Sequence, residues 1–171
     1  MPNLKEIRNR ITSVTSTMKI TSAMKMVSAA KLKKAQDAVT AMRPYSEKLG
    51  ELMSSFHDII SSSSVSQLSE SRDIKNVLLI PICSNKGLCG AFNSNVVKKA
   101  ISLKNQSSFS KANFSFLIIG KKANDIISKT ENVISNHNSI FENINYDDTA
   151  AIVDNIVELF INGEYDHVEL I

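Results

Sequence analysis

Apolar side chains recur every three or four positions along the first sixty residues, and this repeat constrains the fold more than any other feature of the sequence. A 3.5-residue spacing held over this length is typical of a helix that supercoils against a partner helix. The seam of the repeat consists of Leu4, Ile7, Ile11, Val14, Met18, Leu32, Val39, Met42, Leu49, Met53 and Phe56. Asn3 is a suitable N-cap, and only Pro44 and Gly50 disfavour a helix after it. We therefore predict a single helix over residues 1–60, with a kink or a local shift of its path at Pro44.

The length of this helix limits where it can lie. At about 1.5 Å per residue, the stretch from residue 4 to residue 60 spans roughly 85 Å. A compact chain of this size has a radius of gyration of only about 15–16 Å. We therefore expect the helix to project from the rest of the chain, with its seam covered by something else.

The seam is interrupted between residues 21 and 28. Thr21, Lys25 and Ser28 occupy positions where the repeat requires apolar side chains, while Met24 points elsewhere. One interpretation is a stutter in the repeat. The other is that the helix faces a different partner here, because small and flexible side chains suit a close or sliding contact.

Charge is distributed unevenly along the chain. Residues 1–48 carry ten basic and three acidic side chains, a net charge of +7, whereas residues 49–171 carry ten basic and fourteen acidic ones, a net charge of −4. We interpret the cluster of Lys31, Lys33 and Lys34 as a solvated face or as a contact with an acidic protein. Nucleic-acid binding is disfavoured, because the apolar seam continues through a region that a DNA-binding basic helix keeps polar on every side.

The sequence changes character after the long helix. Residues 61–72 are predicted to form a serine-rich linker. Beyond it, we predict strands at 77–82, 114–120 and 167–171 and helices at 96–103, 122–129 and 150–161. This alternation predicts a Rossmann-like α/β domain over residues 73–171, with a mostly parallel sheet. Asp148 or Thr149 is expected to cap the last helix, and Gly163 to end it. Because the sequence stops inside an apolar strand, we expect it to be a fragment.

The loop after the first predicted strand holds a lysine and two glycines, residue types that also cradle phosphates. Ligands of open parallel sheets usually bind at this edge. However, Lys86 precedes both Gly87 and Gly90, and only two residues separate the glycines. A P-loop has four residues between its glycines and a lysine after the second, and a dinucleotide fingerprint has three glycines. Nucleotide binding is therefore disfavoured, and no cofactor is predicted.

No catalytic or metal site is predicted either. Cys89 has no histidine or carboxylate near it in sequence, so we interpret it as a small thiol packed in a turn. His57, His137 and His167 lack the spacing of metal ligands. We expect no secretory signal and no membrane-spanning helix, and the presence of only two cysteines indicates a reducing compartment.

Two separate parts of the sequence carry a family resemblance. The N-terminal helix of the gamma subunits of rotary F-type ATP synthases is similar to the segments LKEIRNRI at 4–11, MKITSAMKMV at 18–27, AKL at 30–32 and RPY at 43–45. The signature loop of the same family resembles SNKGLCG at 84–90, followed by Asn93. The match is collinear over essentially the whole chain.

This resemblance implies a non-catalytic central-stalk subunit, peripherally attached at the cytoplasmic face of the bacterial inner membrane without inserting into it. In the family, the N-terminal helix pairs antiparallel with a C-terminal helix inside a hexamer of alternating alpha and beta subunits. The α/β domain lies near the epsilon subunit and the membrane c-ring, the delta subunit is a further partner, and rotation couples proton flow to ATP synthesis. Family members continue for a further hundred or more residues, so the resemblance implies that the C-terminal helix is missing here.

The resemblance also implies which residues contact partners. The interruption of the seam matches the part of the family's helix that passes an acidic lever of the beta subunit. Met24, Lys25, Lys31 and Lys33 are therefore expected to contact that lever. The loop residues expected near the same lever are Lys86, Gly87, Leu88, Cys89 and Gly90.

A second hypothesis from a different class is a stand-alone α/β enzyme, dependent on a nucleotide or a thiol, with a coiled-coil arm for oligomerisation. Co-purification of alpha and beta subunits favours the stalk, whereas turnover or nucleotide affinity of the isolated chain favours the enzyme.

Overall fold

The computed structural model describes residues 3–60, 68, 72–105 and 112–171, leaving aside the side chains at 57–60. The chain divides into two compact units, Met1–Val65 and Ser66–Ile171. Apart from Leu68 and Arg72, the predicted serine-rich linker at 61–72 lies outside the described residues.

The first unit is built on one α-helix, α1 (Leu4–Ile60), which is 57 residues long. Oδ1 of Asn3 accepts a hydrogen bond from the backbone N–H of Lys5 at 3.3 Å, which satisfies one of the free donors of the first turn. The helix continues through Pro44 without a break. The predicted long helix is confirmed.

The seam of α1 is exposed along its whole length. The exposed fraction of its eleven residues ranges from 43% at Ile7 to 74% at Leu4. An apolar strip of this extent marks a surface that associates with another. The helices of the described residues include none that is long and apolar enough to cross a membrane.

The second unit alternates strands and helices. Its elements are β1 (Asn76–Ile80), α2 (Phe92–Lys104), β2 (Asn113–Ile118), α3 (Lys121–Ile127), β3 (Val133–Asn136), a 3-10 turn (Ser139–Phe141), α4 (Tyr146–Ile161) and β4 (His167–Leu170). The four strands form one parallel sheet in the order β3-β2-β1-β4. The predicted α/β class with a mostly parallel sheet is confirmed.

The core of this unit lies on both faces of β1. Val77 and Leu79 pack on one face with Phe116 of β2 and with residues of α2 and α3. Leu78 and Ile80 point to the opposite face, which α4 covers. Burial on both faces explains why β1 is a continuous apolar run in the sequence.

The sequence did not predict β3 or the 3-10 turn. Along β3, half-buried residues alternate with exposed ones, so the strand lacks the continuous apolar run that revealed β1. It lies at the edge of the sheet, and its ladder shifts register between Phe116 and Leu117 of β2. A short, irregular edge strand leaves little periodic signal.

Two helices begin earlier than predicted. The cap of α4 is Asn145, whose Oδ1 accepts a hydrogen bond from the backbone N–H of Asp148 at 2.8 Å. The helix therefore begins at Tyr146, and the prediction of Asp148 or Thr149 as its cap was wrong. Similarly, α2 begins at Phe92 rather than at residue 96.

The end of α4 agrees with prediction. Gly163 has φ +77° and donates its N–H to Phe160 O at 3.1 Å, and Glu164 donates to Leu159 O at 3.0 Å, which together form a Schellman motif. The guanidinium of Arg72 donates to the same Phe160 carbonyl at 2.9 Å and lies 5.1 Å from the centre of the Phe160 ring. Arg72 thus attaches the start of the unit to the end of α4.

The amino-terminal ends of β1 and β4 are joined through Asp166. Its Oδ2 accepts hydrogen bonds from the backbone N–H groups of Lys75 and Asn76, both at 2.9 Å. These two donors stabilise the carboxylate and hold the pKa of Asp166 below its usual range. In return, the backbone N–H of Asp166 donates to Asn76 O at 2.9 Å.

Candidate functional site

The predicted contact residues of the first unit all lie on the exposed surface of α1. Met24, Lys25, Lys31 and Lys33 are exposed. The side chain of Met24 is 64% accessible, although it is apolar. This stretch therefore presents exposed apolar side chains, Met24, Met26, Val27 and Leu32, among cations. Such a surface suits a partner that combines apolar contacts with acidic residues.

Threonine hydroxyls along the same part of α1 turn back onto the helix. The Oγ1 atoms of Thr12, Thr17 and Thr21 donate to the backbone oxygens four residues earlier, at 3.0, 3.0 and 2.9 Å. Their hydroxyl protons are satisfied within the helix. Thr21, which interrupts the seam, is therefore less polar towards a partner than its residue type suggests.

The loop at residues 84–91 lies beyond the carboxyl end of β1 and is closed by a side chain of α2. Oδ1 of Asn93 accepts a hydrogen bond from the backbone N–H of Ser84 at 3.0 Å, and its Nδ2 donates to Cys89 Sγ at 3.1 Å. The Ser84 hydroxyl donates to Lys86 O at 2.6 Å. Asn93 therefore joins the two ends of the loop.

A second asparagine ties this loop to two neighbouring segments. Oδ1 of Asn85 accepts from the backbone N–H of Lys121, the first residue of α3, at 2.9 Å. Its Nδ2 donates to the carbonyl of Asn138, between β3 and the 3-10 turn, at 2.7 Å. The backbone N–H of Lys122 also donates to Ser84 O at 3.2 Å. Three segments at the carboxyl edge of the sheet meet at Asn85.

The tip of the loop is strained and open. Leu88 has φ +61° and its side chain is fully exposed. For a residue other than glycine, the left-handed region costs about 1–2 kcal/mol. A Cβ at Gly87 would have no neighbour within 4 Å. The loop therefore presents an apolar side chain from a backbone conformation that the leucine itself disfavours.

The backbone behind the loop is packed closely around Gly120. Gly120 has φ +115°, and a Cβ there would overlap the carbonyl of Cys83 and lie 2.8 Å from its Sγ. Cys83 is buried, and its Sγ accepts a hydrogen bond from the backbone N–H of Ala123 at 3.0 Å. Burial raises the pKa of the Cys83 thiol. Cys83 is therefore a neutral packing residue.

The loop is suited to recognition rather than to bond-making chemistry. Cys89 is exposed, so its interpretation as a packed thiol was wrong, and its neighbours are the amide of Asn93 and the hydroxyl of Ser84, neither of which is a general base. The ring of His137 lies 3.2 Å from Ser135 Oγ. Among the described residues, no three His, Cys, Asp or Glu side chains are grouped so that they could hold a metal ion.

The sequence located the loop but not its supports. The five predicted loop residues lie together because they are consecutive in the sequence: Lys86, Gly87, Leu88, Cys89 and Gly90. The structural roles of Asn85 and Asn93 were missed. A signal existed, because asparagine next to a glycine-containing turn commonly bonds to nearby backbone groups.

Comparison with known proteins gives a consistent set of relatives. A family model described as ATP synthase matches residues 3–171. The chain is 55% identical to the ATP synthase gamma chain of Flavobacterium johnsoniae, 53% to that of Flavobacterium psychrophilum and 40% to that of Cytophaga hutchinsonii. Each comparison covers 100% of this chain, which spans 59% of the length of the relative.

Proposed function

We propose a function from the premise that this chain belongs to the ATP synthase family, among relatives named gamma chain. The chain forms the central-stalk part of a proton-translocating F-type ATP synthase. By rotating inside the hexamer of alpha and beta subunits, it couples proton flow to ATP synthesis. It is not itself catalytic and holds no cofactor.

The observation that carries this proposal is the exposed seam of α1. Eleven apolar side chains are held in register along a 57-residue helix, and each remains exposed. A helix gains most of its stability by packing such a face. A rotor shaft requires a long, stiff element whose surface is covered by other helices, and α1 supplies that element.

The proposed arrangement assigns a role to each part of the chain. Residues 1–60 form the helix of an antiparallel coiled coil, residues 61–72 a linker, and residues 73–171 an α/β domain. The partners are the alpha, beta, epsilon and delta subunits and the membrane c-ring. The complex lies at the cytoplasmic face of the bacterial inner membrane, where this chain is peripheral, does not insert and binds no nucleic acid.

Two surfaces contact the hexamer in this proposal. The first is the interrupted part of the seam with Met24, Lys25, Lys31 and Lys33. The second is the loop tip, from Lys86 to Gly90. Exposed cations at both surfaces support contact with an acidic lever of the beta subunit, since complementary charge fixes the register of an interface.

An exchange of segments tests the function. The aligned segment of the Flavobacterium johnsoniae gamma chain is replaced by this sequence, and the ATP synthase is purified from membranes. We expect alpha and beta subunits to co-purify and the enzyme to pump protons when it hydrolyses ATP. Failure to assemble, or ATP turnover by this chain free of alpha and beta subunits, would contradict the proposal.

A charge inserted on α1 tests the first contact surface. In the exchanged enzyme, Met24→Lys adds a cation beside the proposed acidic lever, and we expect fewer protons pumped per ATP hydrolysed because the extra attraction opposes rotation. Met26→Lys is the matched control, because it makes the same change on another exposed face, about 200° around the helix. Equal proton-to-ATP ratios in both variants would argue against a contact at Met24.

A further inference from the structure

The tip of the loop at 84–91 holds a conformation that its own residues do not favour. Leu88 is in the left-handed region and fully exposed, so neither its backbone nor its side chain gains from this arrangement within the chain. Strain of this kind persists only when the surrounding structure holds it, and it concentrates at functional sites. The supports of the loop therefore decide whether the tip stays in place.

The two supporting asparagines act differently. Among the described residues, the side chain of Asn93 bonds to atoms of its own loop, at Ser84, Lys86 and Cys89, and so fixes the internal shape of the loop. Asn85 bonds outside the loop, to Lys121 N and to the carbonyl of Asn138. Its side chain therefore fixes the direction of the loop beyond Ser84, whose own carbonyl is held by the Lys122 N–H.

We propose that Asn85 is a positioning residue that braces the Leu88 tip against the α/β unit, so that the tip transmits force to the hexamer instead of yielding under load. This inference rests on the proposed rotor function. Without Asn85, the loop keeps its internal shape through Asn93 but pivots about its ends. Each hydrogen bond of this kind raises the population ratio of braced to released loops about fivefold.

The experiment uses the complete ATP synthase with the exchanged segment. Asn85→Ala removes both bonds of the brace. Leu88→Asn removes the apolar tip but keeps the loop shape, since asparagine tolerates positive φ. Asn113→Ala is the matched control, because it removes an exposed asparagine–asparagine hydrogen bond of 3.2 Å, to Asn76, at the opposite end of the same sheet.

The readouts are subunit stoichiometry, ATP hydrolysis, protons pumped per ATP and hydrogen exchange at the Lys121 amide. We expect Asn85→Ala to assemble and hydrolyse ATP, to expose the Lys121 amide, and to lower the proton-to-ATP ratio by up to about 25-fold, fivefold for each of the two lost bonds. Leu88→Asn lowers the same ratio without exposing that amide, and Asn113→Ala leaves the ratio unchanged. Because Asn85 acts through Leu88, the double variant loses no more than the worse single variant.

The outcomes separate this inference from the function on which it rests. A wild-type exchanged enzyme that does not assemble or pump overturns the rotor function and the brace with it. If the wild type pumps, an unchanged ratio in Asn85→Ala overturns the brace alone. Losses that multiply in the double variant also overturn it, because they show that Asn85 acts independently of the tip.

Discussion

The two units of this chain use the same apolar residues in opposite ways. Leu79 of β1 is fully buried, whereas Leu32 of α1 is 59% exposed. The α/β unit therefore carries its own core, while α1 has an apolar face and no core of its own among the described residues. The difference teaches that the α/β unit is stabilised from within, whereas the apolar face of α1 contributes no such burial among the described residues.

The strongest test of the self-contained core is at Gly120. Gly120→Ala places a Cβ against the carbonyl and Sγ of Cys83 at a φ of +115°, so we expect a loss of roughly 2–6 kcal/mol of unfolding free energy from overpacking and strain together. Urea denaturation, monitored by hydrogen exchange of the β1 amides, measures this loss of unfolding free energy. Gly87→Ala is the control, because its Cβ meets nothing within 4 Å. Similar losses in both variants would show that the close approach at Cys83 is unimportant.

Truncating one leucine in each unit tests the comparison directly. Leu79→Ala opens a cavity in the core, and we expect it to cost about 2–5 kcal/mol of unfolding free energy. Leu32→Ala removes an exposed side chain, so we expect a change within about 0.5 kcal/mol for the monomeric chain. Chemical denaturation of both variants provides the measurement. A large loss from Leu32→Ala in a monomer would mean that α1 is already covered within the chain.

The seam itself predicts association of the chain in isolation. Sedimentation and circular dichroism should show either oligomers formed through the seam or partial fraying of α1, with the α/β unit still folded. An added amphipathic helix that matches the seam should raise helicity and give one-to-one complexes. A monomer with a fully formed helix and no response to that peptide would contradict the dependence of α1 on a partner.

The smallest effect is a pH dependence confined to the α/β unit. The pKa of Asp166 is lower in the folded chain than its unfolded value of 3.8, so the unfolded chain takes up the proton first. Its stabilisation is fully present above that unfolded pKa and is lost as the pH falls through the lower folded pKa. The free energy of unfolding, measured in urea between pH 7 and pH 2, should therefore fall less steeply in Asp166→Asn, which keeps an acceptor oxygen. Asp154→Asn, at an exposed position on α4, is the control and should leave the pH profile unchanged.

Periodicity predicted the elements that repeat or are buried throughout. The seam revealed α1, and the run from Val77 to Ile80 revealed β1, because each pattern reflects one physical environment along the whole element. Edge strand β3 borders two environments and shows neither pattern. The start of α4 was misplaced because Asn145, Asp148 and Thr149 are all good capping residues, and only the contacts decide among them.

The candidate site was found only in part, for a reason of sequence distance. The loop residues are consecutive, so a motif could mark them. Asn85 contacts residues 36 and 53 positions away, and no local pattern encodes those contacts. Likewise, the positive φ of Leu88 is not a preference of leucine, so the residue type itself does not predict it.

The position of β1 also determines how the α/β unit resists tension. Arg72 lies just before β1, and β1 is hydrogen-bonded along its length to β2 on one side and to β4 on the other. A pull directed along β1 from Arg72 would load those two ladders in shear, so that many hydrogen bonds resist together instead of opening one after another. Two contacts anchor the start of β1: the bond from Arg72 to the Phe160 carbonyl and the bond from the Lys75 N–H to Asp166. Part of the pull therefore passes through Arg72 directly to the end of α4. The unit therefore resists a load along its first strand through two hydrogen-bond ladders and an anchored entry at the same time.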